Sequence, residues 1–166
     1  MRPKVEDYVN RPRDSKREQA LARALRELPE VERFEFVQEL VARGQYLGLL
    51  MASRSLRDKK YFEQLLDDGL DRGDASSIAF WLECVTPKLG GRKVISILRD
   101  NLEARPDAVG KALYWLPSLI HRDDERSQIA LKELIDQAKE KGCLRAPKTI
   151  PHPEVPGRVL FEAIDD

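Results

Sequence analysis

The stretch YFEQLLDDGLDRGDASSIAFWL, residues 61–82, decides how this chain folds. Tyr61, Phe62, Leu65, Leu66, Gly69 and Leu70 recur at steps of one, three and four. That spacing lines apolar side chains along one stripe of an α-helix. Gly73 suits the C-terminal cap of this helix, and Asp74 the N-cap of the next. The segment that follows, Ile78-Ala79-Phe80-Trp81-Leu82, has no polar interruption. A helix without a polar face needs cover on several sides. An amphipathic helix that turns within a few residues into an all-apolar one predicts stacked helix pairs.

The same alternation extends in both directions. Ser15-Lys16-Arg17-Glu18 matches a capping box, opening a first helix with Ala20, Leu21, Ala24, Leu25 and Leu28 on its apolar face. Pro29 closes it and opens a second, which carries Val31, Phe34, Val37, Leu40 and Val41 before Gly44. A third, short helix is predicted over about 45–53, and the 61–70 stripe belongs to the fourth. Helix five covers about 75–87, and Gly90-Gly91 divides it from helix six, with Val94, Ile95, Ile97, Leu98 and Leu102. Pro106-Asp107 starts helix seven. Asp123 or Asp124 caps helix eight, where Leu131, Leu134, Ile135 and Ala138 face inward and Gly142 ends the run. The prediction is an all-α fold of about eight helices in antiparallel pairs, a short α-solenoid or two-layered helical array. Residues 1–14 are a polar N-terminal arm, 15–142 one helical-repeat domain, and 143–166 a proline-rich tail.

A period runs through the apolar helices. Tyr46, Phe80 and Tyr114 are 34 residues apart, as are Trp81 and Trp115, and Met51, Val85 and Leu119 keep the same step. Self-similarity of this length marks stacked helical repeats. Helices three, five and seven are apolar almost all round and are expected to form a buried row, with the amphipathic four, six and eight half exposed.

Within this pattern, Leu116-Pro117-Ser118-Leu119-Ile120, then Asp123-Asp124, then Ile129-Ala130-Leu131 and Leu134 resembles one HEAT repeat. In that family a proline bends the first helix, an aspartate follows, and small and apolar residues line the second. The basic residue that opens the second helix falls at Arg126. The resemblance covers residues 107–141; Pro87 falls later than the pattern places it, and the earlier pairs lack the proline. It implies a HEAT- or armadillo-like α-solenoid.

The tail changes character. Pro147, Pro151, Pro153 and Pro156 exclude helix up to Gly157 and favour an extended path. The closing Val159-Leu160-Phe161-Glu162-Ala163-Ile164 is too apolar for a solvated end. It is expected to dock, on its own helical layer in preference to a partner.

Composition narrows the function classes. Lys and Arg number 29, as do Asp and Glu, so the charge balance argues against wholesale phosphate binding on nucleic acid or on a membrane surface. No apolar run reaches the roughly 18 residues of a membrane span. Two cysteines, Cys84 and Cys143, make no disulfide framework. A cytoplasmic location is the expectation. His121 with Asp123, Asp124 and Glu125 lacks metal-ligand spacing, and capping of helix eight accounts for the aspartates. The acidic run at 67–74 lacks the order of a calcium loop and reads as a solvated helix end, where a basic partner would be welcome. No nucleophile elbow or Cys–His neighbour exists. No catalytic residue, cofactor or metal is expected.

The preferred reading is therefore a protein-binding or scaffold module, with Arg92, Arg99, Arg126 and Lys132 of helices six and eight as its contact face. The HEAT resemblance implies an alternative, since some proteins of similar layout excise alkylated bases from DNA using an exposed tryptophan and an aspartate. Trp115 and Asp123 or Asp124 are the candidates here. A subunit of a homo-oligomer, exchanging its C-terminal tail between copies, is a further alternative.

Overall fold

The computed structural model describes residues 3–9, 14–43, 45–75, 77–144, 149–151 and 159–161. Eight α-helices occupy the described residues: α1 Ser15–Arg26, α2 Glu30–Arg43, α3 Gln45–Ser55, α4 Lys59–Arg72, α5 Ile78–Leu89, α6 Gly91–Asn101, α7 Pro106–Leu119 and α8 Glu125–Glu140. The chain is all-α in class. Among the described residues there is also a pair of three-residue strands, β1 Thr149–Pro151 and β2 Val159–Phe161, paired antiparallel with Ile150 opposite Leu160. The expected extended path and docking of the tail fall on residues that lie largely outside the described ones.

The helices form two layers. In one, α1 packs on α3, α3 on α5, and α5 on α7. The other is made of α2, α4, α6 and α8. Phe34 of α2 stacks on Tyr61 of α4 at 4.4 Å between ring centroids, Lys93 of α6 reaches Glu63 of α4 at 3.1 Å, and α6 packs on α8. The most extensive pairings between layers are α2 with α3 and α4 with α5. One apolar core runs through the whole array, from Val5 to Ala138. All six apolar-stripe positions of α4 are buried.

Close approach fixes two crossings. A Cβ on Gly69 would sit 2.8 Å from the Trp81 indole, so α4 and α5 meet there only because residue 69 has no side chain. A Cβ on Gly48 would meet the Val41 backbone, which places α3 tightly on α2.

Caps agree with the sequence in kind and shift in position. Asp14, not Ser15, caps α1, its carboxylate accepting from the Lys16 N–H at 2.9 Å. A reciprocal pair of capping-box type occurs instead before α5. There the Ser77 N–H donates to Asp74 at 2.6 Å and the Asp74 N–H donates to the Ser77 hydroxyl at 3.0 Å. Helix α8 ends in a Schellman motif: the Cys143 N–H returns to the Ala138 carbonyl (2.8 Å) and the Gly142 N–H to Lys139 (3.0 Å), with Gly142 at φ +71°.

The N-terminal arm is ordered over residues 3–9. Val5 is buried, Glu6 pairs with Arg43 at 2.8 Å, and Arg17 donates to the Asp7 carbonyl at 2.7 Å.

Candidate interaction surface

Three of the aromatics that carry the 34-residue period are not core. Tyr46, Phe80 and Tyr114 are 41%, 42% and 58% exposed, so helices three, five and seven do not form the fully buried row that was expected. The reason is geometric. Adjacent residues on an α-helix point about 100° apart, so Phe80 and Trp81 cannot both face the same partner layer. Trp81 takes the core at 1% exposed, and Phe80 is left on the outside of the odd-numbered layer. The same holds for Tyr114 beside the half-buried Trp115. The adjacency of the two aromatics was the signal available in the sequence.

These side chains are arranged rather than scattered. Tyr46 of α3 meets Phe80 of α5 edge to face, with centroids 5.6 Å apart and planes at 87°. Tyr114 of α7 makes the same kind of contact with Trp115 at 5.2 Å and 85°. The Trp115 indole N–H donates to the Ala75 carbonyl at 2.8 Å, which fastens α7 to the lead-in of α5. Exposed aromatics thus stand on three neighbouring helices in two separate edge-to-face pairs, one bridging α3 and α5 and one within α7, the favoured geometry for such rings. Val31 and Ile129 are also exposed, singly, as surface apolar residues often are.

The predicted cations lie on the other layer. Arg92, Arg99, Arg126 and Lys132 are all exposed on α6 and α8. Gly91 packs against Ser127, bringing the starts of α6 and α8 together. Asp124, which opens α8, feels both Arg92 and Arg126. Its carboxyl is held below the usual range first by hydrogen bonds from the Ser127 hydroxyl and N–H, with Arg92 and Arg126 adding to the effect. Arg99 is engaged within the molecule, with Glu133 and the Ala130 carbonyl both at 3.4 Å. Among the described residues Arg92, Arg126 and Lys132 form no ion pair.

The acidic run has its basic partner, supplied by this chain. Arg105 reaches Asp67 at 2.7 Å and Asp71 at 3.3 Å, while Lys93 holds Glu63. Asp68 is the exception: partial burial, then Asp67 and Asp71, push its carboxyl above the usual value. It borders an open groove of about 570 Å³ with Gln38, Lys60, Glu63, Gln64 and Asp67.

The remaining candidates serve local structure. Asp124 caps α8, and His121, largely exposed, lies 3.4 Å from Asp123. No group of three or more His, Cys, Asp or Glu able to hold a metal occurs among the described residues. Cys84 is buried, its thiol donating to the Leu49 carbonyl at 3.3 Å. No helix among the described residues is long and apolar enough to cross a membrane. No family model, curated protein or solved structure matches this chain.

Proposed function

We propose that this chain is a non-catalytic protein-binding module that receives another protein on the outer face of its odd-numbered helices. The observation that carries the reading is the exposure of Tyr46, Phe80 and Tyr114. Large aromatics left half exposed on neighbouring helices, two of them (Tyr46 and Phe80) in contact, are what partner surfaces are made of. They offer much apolar area with few rotatable bonds, and such anchors carry about 2 kcal/mol or more each in measured interfaces. Here they stand on helices, not loops, so little ordering is needed on binding. Arg92, Arg126 and Lys132 form a separate, polar contact at the α6–α8 end, suited to steering an acidic partner. The likeness of residues 107–141 to a HEAT repeat supports the same reading, since solenoids commonly present helix faces to other proteins.

The test is quantitative affinity capture from the native host with the wild type, Phe80→Asp, Tyr114→Asp, and the pair Arg92→Glu with Arg126→Glu. A protein retained by the wild type is expected to be lost with either aromatic substitution, and to bind with altered salt dependence after charge reversal. Identical recovery by all variants, each verified as folded by circular dichroism, would refute the reading.

A further inference from the structure

We propose, resting on the reading of this face as a partner surface, that the partner seats an arginine side chain on α5, its guanidinium stacked on Phe80 and paired with the Glu83 carboxylate.

Helix geometry places the two residues together. The Cys84 thiol donates to the Leu49 carbonyl, so that edge of α5 lies against α3. Going round α5 from Cys84, Phe80 follows after about 40°, Pro87 after about 20° more, and Glu83 after about 40° beyond that. All three are exposed. Phe80 and Glu83 are one turn apart and so are neighbours on the helix surface. Glu83 therefore stands on the side of Phe80 that faces away from α3 and from Tyr46, the ring that meets Phe80 edge to face. The 34-residue step would bring Tyr114 against Phe80 as it brings Phe80 against Tyr46, but Tyr114 packs on its neighbour Trp115 instead. Phe80 keeps 42% of its surface exposed.

The chemistry of this corner calls for a cation. Among the described residues Glu83 forms no ion pair, with Lys111 of the neighbouring α7 or with any other cation. The residues one turn from it on α5 are Ala79, Phe80, Thr86 and Pro87, none of them basic. The Lys88 ammonium is turned to the other layer, 5.8 Å from the centre of the Phe62 ring of α4. Pro87 adds a second acceptor: it has no N–H to give to the Glu83 carbonyl, which a regular helix satisfies from that position. An exposed ring, a carboxylate and a carbonyl short of its donor suit arginine above other side chains. Its guanidinium lies flat on an aromatic face and offers five N–H donors in a fixed fork, whereas the lysine ammonium is a strongly hydrated point charge.

The test selects binders to the full-length chain from a synthetic library of short random peptides and measures them by fluorescence polarisation. The expected binders share an arginine. Replacing it with alanine should weaken binding roughly tenfold, the usual worth of a charge-assisted hydrogen bond, and lysine should not restore the loss. Glu83→Gln should weaken the arginine peptide by a similar factor and leave its alanine version unchanged, which identifies the pair. Binders that need Phe80 but no arginine, binders that hold Glu83→Gln as tightly as the wild type, or no binder above an unrelated control protein would each overturn the arginine anchor without touching the partner-surface reading. Arginine peptides that bind Phe80→Asp as well as the wild type, with each variant verified as folded by circular dichroism, would overturn both.

Discussion

The Arg33 guanidinium donates to the Ser55 carbonyl at 3.0 Å, tying the first turn of α2 to the last residue of α3. Its other nitrogens reach the Leu28 carbonyl at 2.7 Å and the Arg26 carbonyl at 3.0 Å. One side chain thus satisfies carbonyls that end α1 and α3, which have no partner within their own helices. Only a planar fork with several donors does this, so lysine is not a substitute. Arg33→Lys is expected to cost about 2 kcal/mol, read as a lower urea midpoint at unchanged slope. A midpoint equal to the wild type would remove Arg33 from that role.

Glu30 makes the complementary junction at the start of α4. Its carboxylate accepts from the Arg57 N–H at 2.6 Å and the Asp58 N–H at 2.8 Å. Those bonds, that to Asp58 first, hold its pKa below the ordinary 4.5. A carboxyl lowered in the folded state stabilises above its unfolded pKa, and the contribution fades as pH falls through the folded value. The stability gap between wild type and Glu30→Gln should be widest at neutral pH and close on acidification below 4.5. Denaturant curves from pH 7 to pH 3 provide the check; a gap that widens in acid contradicts the assignment.

Alanine at the two glycine crossings separates packing from helix propensity. Propensity alone favours Gly→Ala within a helix by about 1 kcal/mol. At Gly69 the new methyl would meet the buried Trp81 ring at 2.8 Å, and overpacking of that kind costs about 1–3 kcal/mol. At Gly48 it would meet Val41 backbone atoms at 2.5 and 2.8 Å, which cannot rotate away. Both variants should lose stability, Gly48→Ala the more. A thermal midpoint raised by either would mean that the helices can separate at no cost.

These contacts show where the sequence was informative. The period-3.6 stripes of α4 and α6 located helices correctly, because Leu65, Leu66, Val94 and Leu98 answer to local geometry alone. The paired arrangement followed from Gly73, Asp74 and Gly90, whose capping roles are equally local. The surface did not follow. Arg105 lies 38 residues from the Asp67 it neutralises, and no spacing rule connects them. Tyr46, Phe80 and Tyr114 were seen as a period but assigned to the core, because hydrophobicity says that a side chain is apolar and not which layer covers it.

Cys84 offers a probe of global opening. Burial pushes its thiol up to about 12, so at pH 8 roughly one molecule in ten thousand carries the reactive thiolate. Cys143 is partly exposed after the end of α8. In the native protein iodoacetamide should modify Cys143 and spare Cys84, with Cys84 labelling rising in step with denaturant unfolding. Equal labelling rates at pH 8 would show that α5 opens locally.

Thr86, on α5, carries the clearest route to a more stable chain. Among the described residues its hydroxyl oxygen and the Trp81 indole nitrogen are buried without a hydrogen-bond partner. An unsatisfied buried hydroxyl costs about 1–3 kcal/mol by mutational measure. Valine keeps the branched shape and removes the polar atom, and both residues suit a helix about equally. Thr86→Val should therefore raise the unfolding free energy by about 1 kcal/mol, measured by urea titration monitored on Trp81 and Trp115 fluorescence. A decrease would mean that the Thr86 hydroxyl holds an ordered water, and crystallography of the two chains would then locate it.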